Sequence, residues 1–304
     1  MSDGQALSQL IRTLQAGGYA FVTPGGGTIA HNRRRRGEQK PGLRDIFGWS
    51  LEFSQEDIEP QLFDLAIQAK ILAPSEGRWR SLVRVSSVEG RLFAHSAYPP
   101  RASDAVFLGP DTYRFARLVV AETRHGGRSV LDIGSGAGVG AILAAARLPQ
   151  AKVTATDINP AALSLTAANA AANGQLIELE LCDGLPSTSQ RFDLIIANPP
   201  FISGRFGRLY RDGGGDRGME APISWALRGA ERLQRGGRLL MYTGSPIIDG
   251  EDPFRRCLEG AMAERGLRLE YDEIDPDIFG GLLGRSDYEG VERLAAVAVV
   301  IRRP

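Results

Sequence analysis

A doubly wound α/β sheet of seven strands, preceded by a small helical domain, is the fold this sequence predicts. Three observations lead to it. From residue 103 onward, strand-length apolar runs alternate with helix-length segments, the pattern of parallel strands joined by crossover helices. The first of these strands runs straight into glycines at alternate positions, Gly134, Gly136 and Gly138. The fourth ends abruptly at Asn198-Pro199-Pro200-Phe201, where two prolines fix the backbone and remove two amide donors.

Residues 1–102 read as an accessory helical and hairpin domain, and 103–304 as a nucleoside-binding domain. Leu7, Leu10, Ile11 and Leu14 recur at helical spacing over 5–16, and Gly17-Gly18 stops that helix. Residues 24–42, rich in Gly, Pro and Arg, read as a mobile loop. The loop carries Arg33, Arg34, Arg35 and Arg36, either a contact for phosphate or an acidic partner, or a solvated charge run. Glu59-Pro60 opens a second helix to about Leu72, with the proline in the first turn that tolerates it. Leu62, Phe63, Leu65, Ala66 and Ile67 supply its buried side. Segments 81–88 and 91–95 alternate around Glu89-Gly90 as a hairpin, and helices followed by a hairpin resemble a winged-helix module. Beyond residue 103, helices are expected at 111–124, 139–147, 160–172, 221–234 and 253–265. Strands are expected at 128–133, 152–157, 177–182, 192–197, 237–243, 267–274 and 293–301. The first five strands read as mostly apolar runs, as in a parallel sheet covered on both faces. A Gly/Arg-rich loop at 203–218, holding Asp212-Gly213-Gly214-Gly215-Asp216, follows the fourth strand.

Composition sets bounds. With 304 residues, 43% hydrophobic and 24% charged, the chain suits one large and one small domain. Formal net charge is zero, so no global basic field draws nucleic acid, although a local patch is not excluded. The two cysteines, Cys182 and Cys257, write no disulfide framework, and a reducing cytoplasm is the expected compartment. The start of the chain lacks a basic stretch leading into an apolar core, so no secretory signal is expected. No apolar run approaches the ~18 residues of a membrane span. His31, His95 and His125 have no metal-ligand spacing, and no metal is expected. His95 reads as a surface hairpin histidine or, less simply, as a base. Trp49, Trp79 and Trp225 read as packing.

The glycines of Gly134-Ser135-Gly136-Ala137-Gly138 let the backbone turn and approach a ligand, and the following helix offers unpaired N–H groups to it. Asp132, two residues earlier, can face a cationic amino group. S-adenosylmethionine (SAM) carries one, whereas a pyrophosphate would be repelled there. Asp157, at the end of the second strand, can accept ribose hydroxyls and serves NAD and SAM equally. Asp183, in Asp183-Gly184 after the third strand, can take an adenine amino group or form a simple turn. At the fourth strand end, the carbonyls of Asn198 and Pro199 lack ladder partners, and the Asn198 amide adds an acceptor and a donor. Phe201 supplies a flat face. That set suits a planar –NH2 group, held by acceptors and stacked on an aromatic ring. Positioning of this kind supplies roughly 7–11 kcal/mol of a barrier.

These residues, Asp132 through Gly138, Asp157, Asp183 and Asn198-Pro199-Pro200-Phe201, resemble the class I SAM-dependent methyltransferases with an N-P-P-[FY] motif, over roughly residues 103–304. Phe201 followed by Ile202 looks most like the release-factor glutamine methyltransferases; RNA and DNA amino-methyltransferases come next. The resemblance implies a Rossmann-like methyltransferase sheet and SAM as cofactor. It implies backbone and carboxypropyl contacts at Gly134, Gly136 and Gly138, ribose at Asp157, adenine near Asp183 and the target nitrogen at Asn198. The acceptor it implies bears an amino or amide group: protein glutamine, a nucleic-acid base or a small molecule. The segment 107–113 lies where relatives place residues that cover SAM, so Tyr113 and Phe115 face the sulfonium or belong to the helix core. The N-terminal region does not match a release-factor-binding bundle. Azetidine-carboxylate synthases share the fold and cyclise SAM on itself with release of methylthioadenosine, the alternative outcome for the same site.

Overall fold

The computed structural model describes residues 1–36, 40–100, 102–203, 212–214 and 216–304. Within the Gly/Arg-rich loop expected at 203–218, residues 204–211 and 215 lie outside the described residues. Helix α1 (Asp3–Ala16) opens on a capping box, in which Ser2 Oγ accepts the Gln5 N–H and the Gln5 side chain accepts the Ser2 N–H. It buries Leu7, Leu10, Ile11 and Leu14, the stripe its spacing predicts.

The mobile loop expected at 24–42 is instead largely helical: α2 spans Gly26–Arg36. Tertiary packing overrides the loop signal of Gly26, Gly27 and Asn32. Ile29 is buried in a cluster with Phe21, Trp49 and Leu51. Two of the four consecutive arginines are engaged. Arg33 donates to the carbonyls of Trp49 and Ser50, and Arg36 pairs with Asp45 at 3.1 Å while lying over the Trp49 ring. Arg34 and Arg35 are exposed. Helices α3 (Leu43–Phe47) and α4 (Pro60–Gln68) follow. On α4 the expected buried side holds except at Ile67, which is 42% exposed. Two hairpins come next. The pair β1 (Leu72–Ser75) and β2 (Arg78–Ser81) turns at Glu76-Gly77, an element the sequence reading did not include. The expected one, β3 (Val83–Val88) with β4 (Arg91–Ser96), turns at Glu89-Gly90. Both loop residues have positive φ, 48° and 73°, as two-residue hairpin turns require.

The second half runs α5 (Pro110–Glu122), β5 (Ser129–Ile133), α6 (Val139–Arg147), β6 (Lys152–Asp157), α7 (Pro160–Ala172), β7 (Glu178–Leu181), β8 (Phe192–Ala197), α8 (Glu220–Glu231), β9 (Leu233–Ile247), α9 (Pro253–Glu264), β10 (Arg268–Asp275) and β11 (Arg293–Arg302). The seven-stranded sheet has the order β7-β6-β5-β8-β9-β11-β10. β11 is antiparallel to both neighbours, and the pairings among β7, β6, β5, β8 and β9 are parallel. This is the expected doubly wound Rossmann-like sheet. The helix expected at 221–234 stops at Glu231, because Leu233 already pairs with Phe192. The third strand departs from the apolar expectation: β7 reads Glu-Leu-Glu-Leu at the sheet edge, with Leu181 59% exposed.

Side-chain alternation divides the core between the two faces. Val130, Leu194, Ile196 and Leu240 pack with Val119, Ile142 and Leu143 from α5 and α6. Leu131, Ile133, Ile195, Leu239 and Met241 pack with Ala226, Phe254 and Leu258 from α8 and α9. Each such buried aliphatic contributes about 1.5–3 kcal/mol. The N-terminal helices and hairpins form their own cluster around Leu10, Phe47, Phe53, Leu62 and Val85, joined to α7 through Ala168 and Leu165. Asn169 completes this junction. Its Oδ1 accepts the Ala94 N–H at 2.8 Å, and its Nδ2 donates to the carbonyls of Ala94 (2.9 Å) and Ala137 (2.8 Å). One buried amide thus ties hairpin strand β4 to the glycine loop.

His95 corrects another expectation. It is fully buried rather than on the surface, with Nε2 2.8 Å from Ser86 Oγ, which is in turn 2.6 Å from Thr23 Oγ1. Burial, with the Arg84 guanidinium nearby, holds its pKa well below the usual value. The imidazole stays neutral and serves packing. Among the described residues no helix is long and apolar enough to cross a membrane.

Candidate active site

Strand order reverses between β5 and β8, so the loops leaving their carboxyl ends diverge and open a crevice, the place where doubly wound sheets bind ligands. A cavity of about 560 Å³ lies there, within the range of small-molecule sites. Its walls include Asp132, Gly134, Gly136, Asp157, Asp183, Asn198, Pro199 and Phe201.

The glycine loop is shaped by what packs against it. Gly134 and Gly138 have φ of 67° and 77°, a region that favours glycine. A Cβ at Gly134 would stand 2.5 Å from the Trp225 ring, and one at Gly138 2.8 Å from the Thr166 side chain. Gly138 caps α6 and lies outside the cavity lining. Its task in this structure is the turn. Asp132 replaces the missing capping side chain, since its Oδ2 accepts the Ala141 N–H at 2.7 Å. Only 2% of Asp132 is exposed. Burial pushes its carboxyl up to about 7, against the opposing pull of the Ala141 hydrogen bond and with the Asp157 charge adding to the rise.

Asp157 ends β6 with both oxygens engaged. Oδ2 accepts the Gly136 N–H and Oδ1 the Asn159 N–H, each at 2.9 Å. Burial raises its pKa, opposed by those backbone donors. A carboxylate has about four lone-pair sites, so capacity remains toward the cavity. Asn159 then caps α7 through Ala161. Asp183 stands exposed at the rim beyond β7.

At the end of β8, Asn198 is half-buried, and its side-chain amide makes no hydrogen bond to the described residues while facing the cavity. Phe201 is 9% exposed. A Cβ at Gly244 would lie 2.4 Å from the Phe201 ring, so the ring rests directly on that backbone. From α5, Asp111, Thr112 and Phe115 reach the cavity; Phe115 belongs both to the wall and to the core. Tyr113 does not line it. Its hydroxyl accepts the Thr23 N–H at 2.8 Å and so joins α5 to the N-terminal unit.

Phe107 and Asp111 line the wall from within the segment 107–113 expected to cover the cofactor, whereas Trp225 reads as packing and Phe279 is not singled out by the sequence. Trp225 and Phe279 reach the site only through folding of distant segments, and no local pattern marks them. Asp111 lies inside the covering segment 107–113. It accepts the Tyr242 O–H at 2.6 Å and meets Arg114 at 3.3 Å, and burial raises its pKa.

A parallel sheet with a glycine turn after β5, acids after β6 and β7, and an Asn-Pro-Pro segment after β8 defines the Rossmann-like class of nucleoside-cofactor enzymes. Comparison with known proteins narrows that class. Residues 115–210 match the family described as the methyltransferase small domain. The chain is 38% identical over 207 residues to the release factor glutamine methyltransferase of Bordetella pertussis, covering 63% of this chain and 69% of that one. To the Koribacter versatilis protein of the same description it is 36% identical over 133 residues, 40% of this chain and 48% of that one. The chain thus spans about half the length of the first such relatives. Trm5b from Pyrococcus abyssi has the same fold, with a TM-score of 0.51 at 16% identity, covering 81% of this chain and 68% of that one. The chain belongs to the class I SAM-dependent methyltransferase family that includes the release factor glutamine methyltransferases.

Proposed function

We propose that this protein transfers the methyl group of SAM to a planar amino or amide nitrogen held at Asn198. The observation that carries the reading is the unpaired Asn198 amide, set beside Phe201 in the same cavity as Gly134, Gly136 and Asp157. The amide opens onto the cavity, so a ligand group can pair with it without displacing a protein partner.

The residues present fit SAM. Gly136 leaves open space where a side chain would intrude, while Gly134 is held against the Trp225 ring; Asp157 keeps lone pairs for ribose hydroxyls, and Asp183 stands at the adenine end. The buried Asp132 carboxyl offers a charge partner to an ammonium. When bound, SAM supplies an electrophilic methyl on a sulfonium. The protein's own share is then orientation. Asn198 Oδ1 and the neighbouring carbonyls accept the two hydrogens of the acceptor –NH2, and the Phe201 ring supports its plane, so the nitrogen lone pair is directed at the methyl carbon. The methylated nitrogen loses a proton afterwards, and no strong base is needed beforehand. Residues 1–102 act as an accessory unit that braces α5 through Tyr113 and the glycine loop through Asn169.

Incubation with SAM and amino- or amide-bearing acceptors is expected to give adenosylhomocysteine only when an acceptor is present. Asn198→Ala should cut turnover at least about 100-fold, the scale on which loss of a positioning contact acts, with SAM affinity by calorimetry nearly unchanged. Methylthioadenosine formed from SAM alone would overturn the proposal in favour of intramolecular cyclisation.

A further inference from the structure

Phe279 is a bulky residue in the left-handed region, φ 57°, and 39% of it is exposed. A side chain with a Cβ enters that region against steric resistance, and such residues persist only where their neighbours impose them. The imposition is visible. Ile278 is buried and its N–H donates to Leu294 O at 2.7 Å, while Phe279 O accepts the Leu282 N–H at 2.8 Å. Asp275, where β10 ends, is gripped at 2.6 Å by Arg114, which also reaches Asp111. None of these contacts uses the ring. Glycine would satisfy the backbone without strain, and the ring is only partly buried by standing there.

What the ring does meet is the cavity. It lines the wall and lies 6.0 Å from Phe201, tilted by 49°. Phe201 is fixed by the Gly244 backbone beneath it. The two rings form a wedge beside the unpaired Asn198 amide. A flat ring seated on Phe201 meets Phe279 at its edge, an arrangement aromatic pairs favour. The plane of a glutamine carboxamide is too small to cover Phe201 and reach Phe279 as well, and would leave Phe279 exposed.

We infer that Phe279 is a specificity-determining residue, closing with Phe201 a two-ring cleft for a flat, amino-bearing heteroaromatic ring of the nucleobase kind rather than for a glutamine side chain; this rests on the N-methyl transfer reading above. The test uses the full chain saturated with adenosylhomocysteine. The fluorescence of 2-aminopurine riboside, and separately of a single-stranded oligoribonucleotide carrying 2-aminopurine, is titrated against it. Stacking quenches the probe, and whichever form binds more tightly tells a free nucleoside acceptor from a polynucleotide. Phe279→Leu is expected to weaken binding about fivefold or more, the lower end of what stacking on an aromatic contributes. Phe279→Tyr should restore it, and SAM affinity by calorimetry should stay within about twofold of the parent, a difference well below 1 kcal/mol. Equal probe binding by the parent and Phe279→Leu overturns the inference. So does a loss of SAM affinity in Phe279→Leu, which would put the ring on the cofactor side. If the parent binds no probe at millimolar concentration but methylates a glutamine-containing peptide, the inference fails while N-methyl transfer stands. If the parent binds no SAM, both fail.

Discussion

Replacement of Asn169 by alanine tests whether the N-terminal unit and the cofactor loop are mechanically joined. The Asn169 side chain makes three buried hydrogen bonds, one to the Ala94 N–H and two to the carbonyls of Ala94 and Ala137. Removing it leaves one backbone donor and two acceptors without that partner, in a place water does not reach. At about 1 kcal/mol net for each bond, with more for the orphaned donor than for carbonyls that keep a second lone pair, the loss comes to about 3 kcal/mol. Urea unfolding should show the midpoint fall with the slope unchanged. SAM affinity should fall as well, because Ala137 sits inside the glycine loop. Asn169→Asp provides the sharper control. It keeps the acceptor but turns a carboxylate toward two carbonyls, so its folded-state pKa must rise above the ordinary ~3.9. Its stability relative to the parent is then best at low pH and worsens as pH climbs past that value. A stability loss under about 1 kcal/mol for Asn169→Ala, or unaltered SAM affinity, would show that the junction does not brace the loop.

Asp132 makes a second pH test. Its carboxyl is pushed up to about 7 in the fold, against ~3.9 when unfolded, so the folded state holds its proton longer. Stability of the cofactor-free protein should therefore decline as pH rises from about 4 to about 7, and Asp132→Asn should lose that decline; parallel pH profiles for the two proteins would refute it. Tyr113→Phe should cost about 1–3 kcal/mol in thermal unfolding by orphaning the Thr23 N–H, with SAM affinity intact. A large affinity loss in that variant would show that the Tyr113 hydroxyl bond to Thr23 supports the SAM site as well as the fold.

Part of the candidate site was legible in the sequence because it is built from strand ends. In a parallel sheet every strand points its carboxyl end at the same crevice, so a residue's place in the linear pattern already gives its place in space. Asp132, Asp157, Asp183 and Asn198 needed only the order of the runs. Even there, local chemistry left roles open. Gly138 looked like a ligand contact and forms the turn against Thr166, and Asp132 also caps α6. The N-terminal unit was less legible for a physical reason. Gly26, Gly27 and Asn32 read as loop residues although Ala30 and the arginines favour a helix, and it is Ile29 packing with Phe21, Trp49 and Leu51, together with Arg33 and Arg36, that fixes one. His95 looked like a surface residue because a hairpin has two faces, and the sequence does not say that the segment carrying Thr23 folds onto the face that holds Ser86 and His95.

The rest of the cavity wall follows the opposite logic. Trp225 comes from α8 and Phe279 from the connection between β10 and β11, and neither is signalled by a neighbouring motif. Phe279 is 78 residues beyond Phe201, at a distance of 6.0 Å. Its position is set by the register of β11 against β9 and by the Arg114 bridge to Asp275, both tertiary facts. A fold of this class therefore fixes its cofactor with residues at strand ends, where the sheet permits little change. It can vary its acceptor through connections that the sheet does not constrain. The glycine loop and the Asn-Pro-Pro segment then speak for the class of reaction more than for its acceptor, and on the proposed reading a strained aromatic outside them is the kind of residue on which the choice of acceptor turns.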